Sequence, residues 1–480
     1  MKAKTIAIVE LVFIMVLLGA VLEQKFSLKK PAAITREPAA PSESTLTYNP
    51  PPRPKLSLEA VRQVALLKQL VEPVVEKIAT DIYIAHGFAL GNVQMVITTE
   101  GVVIIDTTES EEAAKKILAE FRKITDKPVK YIIYTHGHLD HVQGTRAFLE
   151  NDTQVIATAD AVDLIKKDMG WLEQFHTRSR LNQAGQLAPE YALPLPLSVQ
   201  SPVKLIRSNR DIVMPTITFD DKYSFSLGGK TFELYHTWGE TPDHLMVWLP
   251  HEKVLFCGDL YYASFPNLST PMLEPRPVAK WYESIDRMIA LQPSYLIPGH
   301  TRAIIGTDNI QETLTNYGKA IRYVYQETLK GINQGQSIEE LAQEIKLPPE
   351  LAKLPYLQEY YGKVSWSVRG IYQGLTGWYD GHGTNLSPLP PSYRARELVA
   401  LAGGADKLLA RATALQKLSE HQLVCELCDV VIAANPNDKV AHLIKASSLD
   451  YLAYAASNLN TFGFYRSAAA LERQRAGIKP

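Results

Sequence analysis

Short apolar runs separated by turn residues dominate the region from residue 82 to residue 134 and predict strands around one helix. The runs Ile82–Ala85, Val93–Thr98 and Val102–Ile105 have glycines between them, a pattern typical of strands joined by tight turns. Glu111–Ile124 has apolar residues at the spacing of an amphipathic helix. Tyr131–Tyr134 is again apolar and β-branched or aromatic, which predicts a buried strand. Strand, strand, helix, strand is an α/β layering.

The pattern beyond the last of these strands is less regular. Gly144–Glu150 suits a helix, and Val155–Ala157 suits a short strand. Leu172–Pro202 is polar and contains prolines without a clean period, so we interpret it as a flap on the substrate side. Later apolar runs predict further strands at Asp211–Phe219, Thr231–His236, Leu245–Leu249, Leu255–Asp259 and Tyr295–His300.

The C-terminal third changes to a helical period. Apolar residues recur on one face between 408 and 415, again between 423 and 431, and again between 441 and 449. The expected N-caps of these helices are Ser337, Asp406, Ser419 and Asp438. The pattern predicts antiparallel helical hairpins, similar to tetratricopeptide repeats but without a strict repeat length.

The N-terminus has the composition of a targeting segment. Lys2 and Lys4 precede an apolar stretch from Thr5 to Leu22 that is interrupted by Glu10. This is the form of a signal peptide, and it is close to the roughly 20 apolar residues of a membrane span. No clear cleavage site follows, which favours an uncleaved anchor over a removed signal. We expect an exported protein, periplasmic or extracellular, which is attached to the inner membrane if the segment is not cleaved.

These patterns divide the chain into four parts. Residues 1–28 are the signal peptide or membrane anchor. Residues 29–56 form a linker whose seven prolines favour an extended tether. Residues 57–330 are expected to form the α/β domain, which opens with a helical period over Leu56–Glu76. Residues 331–480 are expected to form the all-α domain.

Composition gives no support for nucleic acid binding, a disulfide framework or a cysteine zinc site. With 50 Lys and Arg against 51 Asp and Glu, the chain has no charge excess that would attract nucleic acid. Three cysteines do not make a disulfide framework. Cys425 and Cys428 are spaced C-x-x-C, but no second pair completes a zinc site, so we interpret them as core residues of a helix.

Candidate chemistry is concentrated directly after the predicted strand Tyr131–Tyr134. His136, His138, Asp140 and His141 follow within six residues. Four groups with lone pairs at one strand end would leave polar atoms unsatisfied unless they bind a cation. The segment therefore predicts a metal site.

The pattern H-x-H-x-D-H resembles the metal signature of the metallo-β-lactamase superfamily, and this resemblance implies an αββα sandwich. Glu240 stands in the turn where most of the superfamily carries a third histidine. Asp259 stands where the superfamily carries a bridging carboxylate, and His300 ends the last strand. His236 and His244 compete with Glu240 as ligands, and we expect each of them to orient a ligand instead.

The predicted metal ligands are therefore His136, His138, Asp140, His141, Glu240, Asp259 and His300. Seven ligands are enough for two adjacent ions, because one ion needs only three or four. Histidines favour zinc, while the carboxylates also suit manganese or iron. Among the seven, Asp140 is the candidate catalytic residue.

Glutamate at position 240 narrows the resemblance to the linear alkylsulfatases. Phe265–Thr270 is similar to the loop that follows their bridging carboxylate, and Tyr356–Val364 is similar to the join with their helical dimerisation domain. The resemblance implies a homodimer, with the helical domain roofing the active site.

Two departures from the alkylsulfatases concern the substrate. Asp259 stands where the family has glutamate, and Pro271 and Met272 stand where the family places an arginine that would grip sulfate. Arg276 is the candidate replacement, and Asn267 is the other candidate substrate contact.

We therefore expect a binuclear metal-dependent hydrolase that uses a metal-bridging hydroxide on a small-molecule ester, with an alkyl sulfate as first choice. One alternative is a phosphate, lactone or β-lactam on the same site. The other is an anchored helical-repeat binding protein whose metal site is structural.

Overall fold

The computed structural model describes residues 40, 42–52, 55, 72–193 and 212–479. The predicted signal or anchor, and the helical period from Leu56 to Val71, lie outside these residues and stay predictions. No helix among the described residues is long and apolar enough to cross a membrane.

The first sheet contains the metal motif. Its strands lie side by side in chain order: β1 (Val74–Ala79), β2 (Ile82–His86), β3 (Val93–Ile97), β4 (Val102–Ile105), β5 (Val129–Ile133), β6 (Gln154–Thr158) and β7 (Ile217–Phe219). Pairing is antiparallel from β1 to β4 and parallel from β4 to β7. The parallel strands β4 and β5 therefore end at the same edge.

The second sheet supplies the other predicted ligands. Its strands are β8 (Lys222–Leu227), β9 (Lys230–His236), β10 (Leu245–Leu249), β11 (Val254–Gly258), β12 (Tyr295–Pro298) and β13 (Ile304–Ile305). They are also ordered along the chain, and β11 and β12 are parallel.

Helices cover the outer faces of both sheets and form the C-terminal unit. The helices of the α/β part are α1 (Glu111–Phe121), α2 (Leu139–Val142), α3 (Ala159–Met169), α4 (Glu173–Gln183), α5 (Val278–Ala290) and α6 (Thr307–Asn333). Those that follow are α7 (Ile338–Glu344), α8 (Pro349–Ala352), α9 (Val364–Thr376), α10 (Pro391–Leu401), α11 (Ala405–Gln416), α12 (His421–Ala434), α13 (Lys439–Ala455) and α14 (Leu459–Arg475).

Burial of apolar side chains sets the layers. Ile84 and Val103 of the first sheet share one buried core with Phe232 and Val247 of the second. On the outer face of the first sheet, Ile117 of α1 is buried in a second core. A third core holds α5 and α6 against the outer face of the second sheet. The predicted αββα sandwich followed by an all-α region is confirmed.

The helical unit has a core of its own. Leu409, Val424 and Ile444 come from three successive helices and are fully buried together. Ser337 and Asp438 are N-caps, as predicted. The predictions for Asp406 and Ser419 are wrong, because α11 begins after Gly404 and α12 begins after Glu420.

Several predicted elements differ from the structure. The predicted helix was expected to end at Glu76. This is wrong, because residues 74–76 belong to β1, which pairs with β2. Of the predicted strand Asp211–Phe219, β7 covers only the last three residues, and in Gly144–Glu150 only Thr145–Ala147 forms a 3₁₀ turn. The predicted flap is described only up to residue 193, and this part contains α4, whose polar sequence gives no apolar period. Contacts with α14 support it, including a hydrogen bond from Ser467 Oγ to Asn182 O (3.0 Å).

The proline-rich segment ends on the helical unit. Residues 42–52 form no helix or strand, as an extended tether would require. Ser44 N donates to Asp438 Oδ2 (2.9 Å), and Tyr48 OH donates to Gln416 Oε1 (3.0 Å). Tyr451 OH donates to the carbonyl of Pro52 (2.7 Å). This stretch is therefore fixed along the helices.

Glu472 is the centre of a buried ion-pair cluster that joins α13 and α14. It is 3% exposed, contacts His442, and lies 3.0 Å from Lys445 Nζ and 2.9 Å from Arg475 Nη1. Burial raises the pKa of Glu472, but His442 and Lys445 outweigh burial and lower it to about 2.

We expect Glu472→Gln to lower the free energy of unfolding by about 3 kcal/mol, because it leaves buried cations without their carboxylate. The exposed Glu426→Gln should change it by less than about 0.5 kcal/mol. Since the pKa of Glu472 is lowered, its contribution is full above its unfolded pKa near 4.5 and is lost as pH falls towards 2. Urea unfolding at pH 7 and pH 3 measures both effects; equal stability of the two variants at pH 7 would contradict the prediction.

Candidate metal centre

The seven predicted ligands meet at one edge of the sandwich. The segment after β5 supplies His136 and His138, and α2 begins immediately after them and supplies Asp140 and His141. The other three ligands come from the second sheet: Glu240 from the β9–β10 turn, Asp259 after β11 and His300 after β12. The predicted convergence of separate strand ends is present.

The side chains form overlapping groups that could each hold a metal ion. His136, His141 and Asp259 form one group, and Asp140, His141 and His300 form another. The third combines His138, Glu240 and Asp259. Asp259 belongs to two of these groups, as a carboxylate shared between ions would.

Distances place Asp259 between the two halves of the cluster. Its Oδ2 lies 3.2 Å from His300 Nε2, and its Oδ1 lies 3.5 Å from His141 Nε2. On the other side, Asp259 Oδ2 lies 3.9 Å from His136 Nε2, which lies 2.9 Å from His138 Nδ1. His138 Nδ1 lies 3.8 Å from Glu240 Oε2.

The hydrogen bonding of two buried atoms shows whether a cation fits the cluster. His141 Nε2 and Asp259 Oδ1 are buried and have no hydrogen-bond partner among the described residues. Buried polar atoms are normally paired, so an unpaired imidazole nitrogen facing an unpaired carboxylate oxygen suits a metal ion. Histidine and carboxylate donors are the ligands that zinc and related ions take.

Electrostatics divide the four histidines of the cluster into two pairs. Burial lowers the pKa of His136 well below its usual range and lowers that of His138 to about 4, so both imidazoles are neutral at pH 7. Ligating histidines must be neutral. Burial also lowers the pKa of His141 and His300, but nearby carboxylates, Asp259 above all, outweigh burial and raise both, that of His300 to about 9. A bound cation would displace these protons.

Asp106 holds His141 in place, and sequence reasoning missed it. Its Oδ1 accepts from Thr135 N (2.8 Å), and its Oδ2 accepts from Thr135 Oγ1 and from His141 Nδ1 (both 2.8 Å). The His141 tautomer is thereby fixed with Nε2 free for a ligand. Asp106 does not cap α1, because Ser110 is the N-cap of that helix. The sequence signal that could have identified it is an aspartate directly after β4, a buried strand that lies parallel to β5.

The two competing histidines have different surroundings. His244 Nε2 accepts a hydrogen bond from the backbone N–H of Asp259 (3.0 Å), and burial lowers its pKa to about 3. It therefore supports Asp259 as a neutral ring. The ring nitrogens of His236 face the carbonyls of Asp220 and Pro242 (2.8 and 2.7 Å).

Arg276 holds Glu240. Its Nη1 lies 2.9 Å from Glu240 Oε1 and donates to Asn267 O (2.6 Å), and its side chain is only 5% exposed. Tyr262, which sequence reasoning also missed, donates to the same Glu240 oxygen (2.7 Å). Glu240 Oε2 is thereby left facing His138. Arg276 Nη1, predicted to contact substrate, is occupied by this pair.

Two glycines let the strand ends approach each other. A Cβ at Gly299 would lie 2.5 Å from Asp259 Oδ1, and a Cβ at Gly258 would lie 2.7 Å from His244 Nε2. Gly258 also has φ +47°, which favours glycine. The Gly-Asp and Gly-His pairs of the sequence are therefore required by packing at the centre.

Comparison with known proteins agrees with this arrangement. Residues 86–300 match the metallo-beta-lactamase superfamily, and residues 337–475 match the alkyl sulfatase dimerisation family. A linear primary-alkylsulfatase from a Pseudomonas species is 34% identical over 399 residues, which cover 80% of this chain and 74% of that protein. This chain belongs to the alkylsulfatase family of the metallo-β-lactamase superfamily. The predicted resemblance and the prediction of a metal-dependent hydrolase are confirmed.

Other alkylsulfatases are more distant. The alkyl/aryl-sulfatase BDS1 of Saccharomyces cerevisiae is 26% identical over 79% of this chain and 61% of its own length. The (R)-specific secondary-alkylsulfatase of a Pseudomonas species is 26% identical over 81% of this chain and, again, 61% of its own length. This chain thus spans about three fifths of these two relatives.

A solved structure shows the same fold. The stereoselective inverting sec-alkylsulfatase Pisa1 from a Pseudomonas species superimposes with a TM-score of 0.77 over 88% of this chain and 68% of that one, at 23% identity.

We expect Asp106→Asn to weaken metal binding by about 10- to 100-fold, because it removes the carboxylate that fixes the His141 tautomer. Competition with a chromophoric chelator measures the affinity. Asp126→Asn, at an exposed residue before β5, is the control and should bind metal as the wild type does. Unchanged affinity in Asp106→Asn would contradict the role given to Asp106.

Proposed function

We propose that this protein hydrolyses alkyl sulfate esters at a centre that holds two divalent metal ions, with zinc as first choice and manganese or iron as alternatives. The observation that carries the proposal is that seven histidine and carboxylate side chains, Asp259 among them, meet in one cluster. Three overlapping groups of donors exceed what one ion needs. The identity to a linear primary-alkylsulfatase supports the substrate class.

The open side of the centre defines where substrate enters. The side chains of His138, Asp140 and His300 are 27%, 21% and 20% exposed, whereas those of His136 and His141 are fully buried. An ester that approaches from solvent therefore meets the first three residues.

The residues of the metal centre have separate tasks in the proposed reaction. Bound ions would supply an acidified water held between them and Lewis acidity towards the ester oxygens. Glu240 and Asp259 reduce the net charge of the centre, and Asp259 is placed to be shared between its halves. Asp140 Oδ2 lies 3.4 Å from His300 Nε2 on the open side, where this carboxylate can accept a proton from an attacking water.

Asn267 supports binding of a polar head group. Its side chain is fully buried, and neither its amide nitrogen nor its amide oxygen has a hydrogen-bond partner among the described residues. Its backbone lies next to the centre, because its N–H contacts Tyr262 OH (2.6 Å). An ester oxygen would satisfy the free amide donor.

The assembly we propose is a homodimer. Its support is the match of residues 337–475 to the alkyl sulfatase dimerisation family.

We expect turnover of dodecyl sulfate and no comparable turnover of bis(p-nitrophenyl) phosphate or nitrocefin. Removal of metal by a chelator should abolish it, and zinc should restore it. His138→Ala should lower kcat/KM by more than about 100-fold, because loss of a ligand exceeds the 10- to 100-fold cost of losing an outer-shell partner. The exposed His251→Ala is the matched control.

If the enzyme prefers the phosphodiester or nitrocefin, its substrate class is a phosphate ester or a β-lactam and not an alkyl sulfate. If His138→Ala keeps wild-type activity, the metal centre takes no part in hydrolysis and its role is structural.

A further inference from the structure

A short loop between β2 and β3 contacts the metal centre from one side. The loop covers residues 87–92, and we call it the bracket loop. The carbonyl oxygen of Leu90 lies 2.9 Å from His300 Nδ1. Because a carbonyl oxygen can only accept a hydrogen bond, Nδ1 carries a proton and Nε2 is the ring atom left to bind a metal.

Asn92 of the bracket loop holds the backbone on both sides of His300. Its N–H donates to Gly299 O (2.8 Å), and its Nδ2 donates to Thr301 O (2.8 Å). Asn92 is 3% exposed, so these hydrogen bonds are shielded from water. The loop therefore sets the position of the His300 backbone as well as the direction of its ring.

The bracket loop also touches the helix that carries a second ligand. A Cβ at Gly91 would lie 2.1 Å from the carbonyl oxygen of Asp140, so the backbones of the loop and of α2 are in close contact there. Asp140, His141 and His300 form one of the groups of donors that could hold an ion. The loop thus contacts two of the three members of a single group.

Glu109 holds the bracket loop in place. It lies between β4 and α1 and is 8% exposed. Leu90 N lies 2.9 Å from each of its carboxylate oxygens, and Gly91 N donates to Oε2 (3.3 Å). Thr108 Oγ1 donates to the same oxygen (2.7 Å). The buried carboxylate is therefore bound to the residue whose carbonyl group contacts His300.

We propose that Glu109 is a positioning residue for His300, on which it acts through the backbone of Leu90 and Gly91. The inference rests on the metal centre proposed above. The hydrogen bonds of the Glu109 side chain go to residues that are not ligands, so its influence passes through the loop. The influence is therefore confined to the ion that Asp140, His141 and His300 would hold.

Glu109→Gln tests this role with little change in the size of the side chain. It replaces one acceptor oxygen with an NH₂ group, which can only donate. In either orientation of the amide, this group faces an N–H of Leu90 or Gly91. The loop should then shift and release its contact with His300.

Zinc titration of the full chain against a chromophoric chelator measures the affinity of each ion. We expect Glu109→Gln to weaken one ion by about 10-fold, the low end for an outer-shell partner, because Glu109 acts at one remove. The other ion should bind as in the wild type. Glu109→Asp, which keeps both acceptor oxygens one methylene further away, should show the same selective loss to a smaller extent. Glu100→Gln, at an exposed residue between β3 and β4, is the matched control.

The same substitution in a His300→Ala background separates positioning from a general loss of structure. If Glu109 acts through His300, Glu109→Gln should have no further effect on zinc affinity once the ring is absent. Equal losses in the two backgrounds would overturn the inference, and so would unchanged zinc affinity in Glu109→Gln.

An assay with dodecyl sulfate separates this inference from the proposed function. Zinc binding that depends on Glu109, in a chain that does not hydrolyse the ester, would refute the sulfatase function and leave the role of Glu109. Hydrolysis by a chain whose zinc affinity does not depend on Glu109 would refute the positioning role alone. A wild type that binds no zinc would overturn both.

Discussion

The structure depends on burying a cluster of imidazoles and carboxylates at the edge where two sheets meet. Asp259 and His141 are buried, yet each has a polar atom that faces the other without a hydrogen bond. In an apolar interior such atoms are costly unless a cation satisfies them. This requirement explains why strand ends distant in sequence come together here, and why glycines stand beside the ligands.

The surrounding contacts set the direction of each ligand. Asp106 fixes His141, the neutral ring of His244 supports Asp259, and Arg276 with Tyr262 holds one oxygen of Glu240. These partners are as buried as the ligands, so the centre is preorganised. The loop after Asp259 departs from the alkylsulfatase pattern, because Pro271 and Met272 stand where the family places an arginine.

The last helices have a core of their own, whereas α7, α8 and α9 share the apolar core of α5 and α6, and polar contacts add to this attachment. Asn458 Nδ2 donates to the carbonyls of Glu359 and Tyr361 (2.9 and 3.0 Å), near the loop that contacts Ser264. The proline-rich residues 42–52 lie along the same helices. The unit therefore packs against the sandwich and anchors the preceding segment.

The sequence by itself determined the sandwich, the helical unit and the residues that could bind metal. Strand periodicity and the spacing of His136, His138, Asp140 and His141 are local, so they can be read without knowledge of the fold. The N-caps Ser337 and Asp438 are local in the same way. By contrast, the tertiary structure alone decided that Asp106 supports His141, that Arg276 pairs with Glu240 and that α4 forms in a polar stretch. Each of these depends on a partner far away in the chain, and no local pattern contains that information.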